Sequence, residues 1–489
     1  MRLLLIRPPV VHLRADFYGS IPGIPSGLCY LAAAVREQGV EVDLLDCYGE
    51  DPHRFYRFRR RWRARGLRPE EAARRMDPEV TAVGISVHCA AEHTMSATIA
   101  REIKALHPEL PVIVGGYHAT FLPEEFVEAG ADYVVMGEGE SRLPRLLRAL
   151  ESGEDPSGQE GVAGRGFCNR RESKYTVDLD SMPFAAVDLV DLQAYWKLGY
   201  GHGPVREPYM NILTSRGCPY DCAFCQAPGM CGRRWLAKSP GRVLEEVRYH
   251  MDAYGVRDFH IQDENFGVDR ERAEEICRLL AELDPPVTFC FPSGVKMETL
   301  DESMLELLAA AGCRYISMSP ETGSRRVLEL MNKTANIELV PRLVRRARSL
   351  GIRTCTFFVA GYPGETESDR RETRAYVRRL ARAGVDEMVM PVLTPFPATA
   401  SMEEPSLQGW TEIDELCFSP VWRSDYRSLD RYRLVTYLHF YAVKLLHHPL
   451  AALRQLWNVF TGRSETKGEM TARRLPRDLL DSLMSALRR

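Results

Sequence analysis

Three cysteines fall within eight consecutive residues: Cys218, Cys222 and Cys225, in the run Ser215-Arg216-Gly217-Cys218-Pro219-Tyr220-Asp221-Cys222-Ala223-Phe224-Cys225. The C-x3-C-x2-C spacing puts three thiolates on one short loop, so the backbone there must curl around whatever the sulfurs hold. Structural zinc takes four ligands, usually as two separated pairs. No second C-x-x-C exists here, and Cys231 lies beyond Pro228 and Gly229. A [4Fe–4S] cluster normally takes four cysteines. With three, one iron keeps an open position and can bind and reduce a small molecule. Cys218, Cys222 and Cys225 are therefore read as metal ligands and as the catalytic centre.

The pattern around that loop is α/β. Residues 1–150 alternate buried strands with amphipathic helices, which implies a parallel, doubly wound, Rossmann-like sheet. Ligands of such sheets bind beyond the carboxyl ends of the strands. Those ends carry Ser86, Gly115-Gly116-Tyr117-His118 and Gly137-Glu138-Gly139-Glu140. Glycines there are expected to let the backbone approach a large flat ligand. No G-x-G-x-x-G follows the first strand, which argues against a dinucleotide. Residues 151–205 read as a linker with short pairings. Residues 206–404 show six further βα units, a partial (β/α)6 TIM barrel with the cysteine loop directly after its first strand, where barrel chemistry is expected. Residues 405–489 lose the alternation. They read as a helical C-terminal cap over the barrel mouth, with helices at 428–446, 450–460 and 475–488.

Composition bounds the rest. At 489 residues the chain is long enough for two or three domains, and a net charge of −3 gives no argument for nucleic acid. Thirteen scattered cysteines and no recognisable secretory leader point to a reducing, cytoplasmic setting. No apolar stretch reaches the roughly 18 residues of a membrane span. An insertion at 50–78 carries eight arginines between Arg54 and Arg68. Phe55, Phe58 and Trp62 fall there at i, i+3 and i+7, which predicts one helical face. It is read as a solvated helix packing those aromatics on the domain, or as a helix contacting a membrane surface or another anionic partner.

Cys218-Pro219-Tyr220-x-Cys222-x-Phe224-Cys225 resembles the signature of the radical S-adenosylmethionine (SAM) enzymes. The resemblance implies that the open iron chelates the methionine end of SAM, with Phe224 near the adenine, and that electron transfer yields a 5′-deoxyadenosyl radical. Upstream, Pro25 to Leu31, the Gly-Gly-x-His segment and the Gly-Glu-Gly-Glu segment resemble the cobalamin-binding domain that precedes some radical SAM cores, although Ala119 stands where that family often has proline. The D-x-H-x-x-G motif is absent. Cobalamin is then expected to bind without a protein histidine on cobalt, with Ser86, Gly115, Gly116, His118, Gly137 and Glu138 lining its pocket.

Further strand ends are polar. Asp263-Glu264-Asn265 is read as orienting the SAM ammonium or ribose through Asp263, or else as capping the helix that begins near Asp269. Glu321-Thr322-Gly323-Ser324 resembles the family's E-x-G-S segment, which implies that Glu321 contacts SAM; helix capping is its other reading. Gly361–Thr366 reads as a structural turn, Thr394–Pro397 as a segment closing over the adenine, and Lys238 as a solvated lysine by default, or else as one that meets a carboxylate. The domain order resembles cobalamin-dependent radical SAM enzymes. It implies methylation of an unactivated carbon in a small-molecule or lipid-like intermediate, with electrons from an external flavodoxin- or ferredoxin-type donor. The alternative is an oxidative cyclase or rearrangement enzyme without net methyl transfer, like the anaerobic magnesium-protoporphyrin cyclase or a hopanoid-pathway relative. The least favoured is a cobalamin regulator with a redox-sensing cluster.

Overall fold

The computed structural model describes residues 1–13, 23–59, 62–170, 175, 177–199, 201–416 and 419–476. Up to residue 170 there are ten strands: β1 (Arg2–Arg7), β2 (Val10–Leu13), β3 (Glu41–Asp46), β4 (Phe55–Arg59), β5 (Trp62–Arg65), β6 (Ala82–Ser86), β7 (Val112–Gly115), β8 (Tyr133–Val135), β9 (Val162–Gly164) and β10 (Phe167–Cys168). The helices between them are α1 (Ser26–Arg36), α2 (Pro69–Arg74), α3 (His93–Leu106), α4 (Tyr117–Phe121), α5 (Pro123–Glu128) and α6 (Gly139–Ser152). Seven strands make one sheet in the order β10-β9-β8-β7-β6-β1-β3. It is parallel from β3 to β8, and antiparallel β9 and β10 extend one edge. Leu3 to Ile6 are all buried; helices cover both faces of the sheet, so β1 is a continuous apolar run. The winding reverses between β1 and β6, the position at which such sheets take their ligands.

The second half is a partial barrel. After α7 (Leu192–Leu198) come β11 (Tyr209–Ile212), β12 (Ser215–Gly217), α8 (Ala227–Cys231), β13 (Trp235–Ala237) and α9 (Pro240–Tyr254). Then follow β14 (Asp258–Ile261), α10 (Arg270–Ala281), β15 (Thr288–Val295), α11 (Glu302–Ala310), β16 (Cys313–Glu321), α12 (Arg325–Leu330), α13 (Val340–Ser349), β17 (Arg353–Phe358), α14 (Glu367–Ala383) and β18 (Glu387–Val389). The order β11-β14-β15-β16-β17-β18 is parallel throughout, as the six βα units require. Ser239, Asp269, Asp301, Ser324 and Thr366 cap the helices that follow them with their side chains, which fixes where each helix starts.

The insertion overturns one expectation. The described residues of 54–68 form no helix: β4 and β5 pair with each other and with β2 as an antiparallel sheet, order β2-β5-β4. Tyr56 and Trp62 pack there with Val11, Leu13 and Met95. The aromatic-arginine alternation favours a pleated surface, and the i, i+3, i+7 spacing is a coincidence of that alternation. The arginines are largely used internally. Arg54 makes a two-point bond to Glu71 at 2.8 and 2.9 Å, Arg65 is buried over the Phe55 ring, and Arg68 lies over Tyr56. A membrane-surface helix at 54–68 is therefore excluded.

The helical C-terminal region comprises α15 (Tyr426–His447), α16 (Pro449–Thr461) and a helical stretch at 467–476; most of the helix expected at 475–488 lies outside the described residues. α15 lies along the barrel flank beside α14. Tyr432 and Phe440 enter the barrel core, whereas Tyr441 of the same stripe is exposed. The irregular segment before α15 lies at the mouth: Arg423 donates to the carbonyls of Leu393 and Gly361, and Leu407 packs in the cluster that contacts Phe224. The chain then enters the barrel. Glu387 accepts hydrogen bonds from the Tyr315 hydroxyl at 2.6 Å and from the backbone N–H groups of Lys467 at 3.0 Å and Gly468 at 2.6 Å. Lys467 Nζ reaches the Pro292 carbonyl at 2.7 Å. Replacing Glu387 with Ala strands three donors in a dry site. It is expected to cost the barrel about 3 kcal/mol, read as a lower urea midpoint for barrel unfolding, with Glu387→Gln losing less.

Candidate active site

The cysteine loop leaves β12 at the mouth of the barrel and is pinned from both sides. Ala223 N–H donates to the Met331 carbonyl at 2.9 Å, and Asn332 Nδ2 to the Asp221 carbonyl at 2.7 Å. Within the loop, Cys225 N–H reaches the Cys222 carbonyl at 3.0 Å. All three thiols are half-buried. Burial pushes each of them up, Cys225 to about 12; Cys222 adds to the rise at Cys218, and both add to it at Cys225. Thiols raised in this way keep their protons in water, and a bound metal would displace those protons to solvent and take the thiolates. Among the described residues no three His, Cys, Asp or Glu side chains stand close enough to share one metal ion. Three soft thiolate donors on one short loop are the donor chemistry of an iron–sulfur cluster. Cys231 is buried, with its thiol toward the Cys218 carbonyl at 3.6 Å, and it packs the loop.

Glu321 ends β16 at φ 61°, a left-handed conformation that costs a non-glycine residue on the order of 1 kcal/mol. A register shift in the β16–β17 pairing sets it there. Its carboxylate meets Lys333 Nζ at 2.6 Å, with both side chains mostly buried. Burial alone would push the Lys333 ammonium down; Glu321, with Cys222 and Cys225, raises it on balance. The same ammonium lies 6.0 Å from the centre of the Phe224 ring, and Phe224 backs onto Val327, Met331, Val359, Tyr362 and Leu393. Nothing in the sequence marked Lys333 as a site residue.

Asp263 does something other than expected. Its buried carboxylate accepts from Thr214 N–H at 2.7 Å, Thr214 Oγ1 at 2.6 Å and Ser215 Oγ at 2.6 Å. It is consumed in seating β12, and the neighbour faces the cleft. Glu264 is exposed, accepts from Gly217 N–H at 3.0 Å, and lies near enough to Tyr117 and Tyr175 to raise both phenols. Pro397, in the segment expected over the adenine, accepts from Gln226 beside the cysteine loop at 3.0 Å.

On the N-terminal side, Ser86, Gly115-Gly116 and Gly137-Glu138 sit at the ends of β6, β7 and β8 as expected. The glycines have a reason within the chain: a Cβ on Gly116, at φ 107°, would come within 2.7 Å of the Val87 carbonyl. The pocket expectation for His118 fails. The residue is 2% exposed, and its Nε2 lies 3.2 Å from His93 Nδ1, with Phe126 beside both rings. Glu138 is likewise buried, accepting from Val177 N–H at 3.4 Å. The side chains open to the cleft are His88, just past β6, and Tyr117, whose rings meet edge to face. His202, exposed ahead of β11, is within electrostatic reach of His88.

Buried polar ties hold the halves together. Glu140, the last residue of the Gly-Glu-Gly-Glu segment, meets Arg216 at 2.6 Å with both side chains nearly buried; Arg216 precedes Cys218 by two residues. Burial alone would raise the Glu140 carboxyl, and Arg216 outweighs it and holds it low. Lys238, expected in solvent, is 3% exposed and pairs with Glu246 at 2.5 Å, while Glu246 accepts from the Tyr30 hydroxyl of α1 at 2.5 Å. Asp414 accepts from the backbone N–H of Thr94 at 3.1 Å.

A family model described as the radical SAM superfamily matches residues 212–377, and one described as a B12 binding domain matches 20–147. The chain is 27% identical over 438 residues to an uncharacterized methyltransferase of Pyrococcus horikoshii, covering 88% of this chain and 87% of that one. It is 26% identical over 465 residues to the cytidylyl-2-hydroxyethylphosphonate methyltransferase of Streptomyces wedmorensis, covering 86% and 85%. The fold is also that of the radical SAM methyltransferase TsrM from Kitasatospora setae, solved with cobalamin and a [4Fe–4S] cluster bound (TM-score 0.63, 24% identity, 82% of this chain and 73% of that one).

Two tests follow from the geometry. Arg216→Met or Glu140→Met alone strands a buried charge at about 3–5 kcal/mol; the double variant is expected to be more stable than either single, as measured by chemical denaturation. The second concerns His93 and His118. Burial lowers both below the ordinary 6.5, His93 to about 4 and His118 to about 3. The folded domain therefore binds fewer protons than the unfolded chain, so this stability is complete above pH 6.5 and is lost as the pH falls from there toward 4. The slope is about 1.4 kcal/mol per pH unit for each histidine. Unfolding followed from pH 7 to 4 should show the loss, and a His93→Phe/His118→Leu variant should flatten it.

Proposed function

We propose that this chain, which belongs to the radical SAM superfamily in the group carrying an N-terminal B12-binding domain, methylates an unactivated carbon of a small-molecule or lipid-like biosynthetic intermediate. When bound, the cluster and cobalamin supply the reductive cleavage of SAM and the carriage of a methyl group, with electrons from a flavodoxin- or ferredoxin-type donor. Cys218, Cys222 and Cys225 hold the cluster with one side toward the cleft. Lys333, fixed by Glu321 beside two of those cysteines, supplies a positioned cation for the carboxylate of SAM. Glu264 supplies a carboxylate for its ammonium or ribose, and Phe224 a flat apolar face for its adenine. The loops after β6, β7 and β8 would hold cobalamin. His118, locked against His93, would not serve as a ligand to its cobalt.

The observation that carries the reading is the Glu140–Arg216 pair. It ties the first turn of α6, just past β8, to β12, which leads into the cysteine loop, and so supports the two cofactor sites lying side by side with a substrate between them. Relatives named methyltransferases agree with that geometry.

The test uses anaerobically reconstituted protein carrying reduced cobalamin, with SAM labelled CD3 on its methyl group. Label is expected on the cobalamin, with one S-adenosylhomocysteine released per cobalt, and Cys222→Ala is expected to abolish 5′-deoxyadenosine formation. Formation of 5′-deoxyadenosine by the unaltered protein with cobalamin never labelled would refute methyl transfer and leave cyclisation or rearrangement.

A further inference from the structure

Fourteen large apolar side chains are exposed among the described residues, and eleven of them lie between Leu434 and Phe460, on α15 and α16. The distribution decides the matter: scattered exposed leucines are ordinary, and a contiguous apolar face marks a contact surface. α16 carries the densest part. Leu450, Leu453, Leu456, Trp457 and Phe460 are 56–81% exposed and form one stripe, while Ala451 and Asn458 on the opposite side are buried against the protein. The stripe lines a shallow open depression together with Arg454. Neither the barrel nor the cofactor cleft needs these residues.

Charge says what covers the stripe. Residues 431–464 contain no Asp or Glu, yet carry Arg431, Arg433, Lys444, Arg454 and Arg463 in a chain whose net charge is −3. Arg431, His447 and Arg463 are exposed around the apolar face. A second copy docked symmetrically would set this basic patch against itself, because a two-fold interface pairs each surface with its own image. The helix at 467–476 packs on the other side of α16, where Glu469 meets Asn458 at 3.0 Å. Lys444 is buried, Arg433 meets Asp430 at 2.6 Å and Arg454 meets Glu465 at 3.4 Å, which leaves Arg431 and Arg463 as the exposed cations. An apolar stripe with a tryptophan and a phenylalanine, rimmed by those two arginines and carrying no acid of its own, matches a helix lying in the plane of an anionic membrane surface. Among the described residues no helix is long and apolar enough to cross a membrane.

We propose that α15 and α16 form a docking face for an anionic lipid surface, with α16 lying in the headgroup region. The face is independent of the methyl-transfer chemistry, and each can fail without the other. The experiment is co-sedimentation of the full-length reconstituted protein with phosphatidylglycerol vesicles and with phosphatidylcholine vesicles. Binding to phosphatidylglycerol, weakened by salt, is expected. Leu450→Glu/Trp457→Glu/Phe460→Glu is expected to weaken it about a hundredfold or more, while 5′-deoxyadenosine formation without vesicles stays unchanged. Arg463→Glu should weaken it less. Absence of binding to either vesicle, or equal binding to both, would overturn the proposal. So would a dimer in sedimentation velocity that Trp457→Glu dissolves without any vesicle effect. Vesicle binding that appears only after truncation beyond residue 476 would assign the face to the chain's own end, and would equally overturn it.

Discussion

One buried ion pair determines how the two halves of this protein meet. Glu140 and Arg216 are 2.6 Å apart at the junction of the N-terminal sheet and the barrel. Such a pair is a weak source of net stability, because desolvating two charges cancels much of their attraction. Its strength is directional: a displaced partner leaves a bare charge in a dry site. The Tyr30–Glu246–Lys238 contact and the Thr94–Asp414 contact add independent points of attachment. Together they fix the cleft by penalising every other docking of the same two surfaces.

What the sequence made legible was whatever repeats or clusters locally. The βα alternation placed the strands of both large sheets, because apolar runs and helical periodicity are local signals. The cysteine spacing marked the loop that leaves β12 at the mouth of the barrel. The 54–68 segment misled because aromatic and arginine residues alternate there in a way that also satisfies a helical spacing, and the outcome depended on pairing with β2, which no local window contains. Asp263 and Lys238 misled for a related reason. Both are polar residues at strand or loop ends, and only the assembled barrel brings Thr214 and Ser215 to one and Glu246 to the other. Lys333 left no pattern at all, since its meaning comes from Glu321 across the barrel mouth.

The site divides its polar groups by burial. Asp263, Glu138 and His118 are sealed and spend their hydrogen-bonding capacity inside the protein. Glu264, His88 and His202 are open to the cleft. Sequence position does not separate these sets: Asp263 and Glu264 are neighbours on one strand end, and their side chains leave it in opposite directions, one into the core and one into the opening. A reading at the level of motifs finds the strand end and leaves open which of its two carboxylates is buried.

The insertion of residues 467 and 468 beside Glu387 has a consequence for how the protein is made. The last barrel strand ends at Val389, but the segment that satisfies its first carboxylate is encoded almost eighty residues later. A ribosome adding about 5–20 residues per second needs roughly 4–16 s to cover that distance. During that interval the nascent barrel has its cysteine loop in place and its interior still open. Synthesis itself thus leaves the barrel interior open, and Glu387 without two of its donors, until residues 467 and 468 arrive.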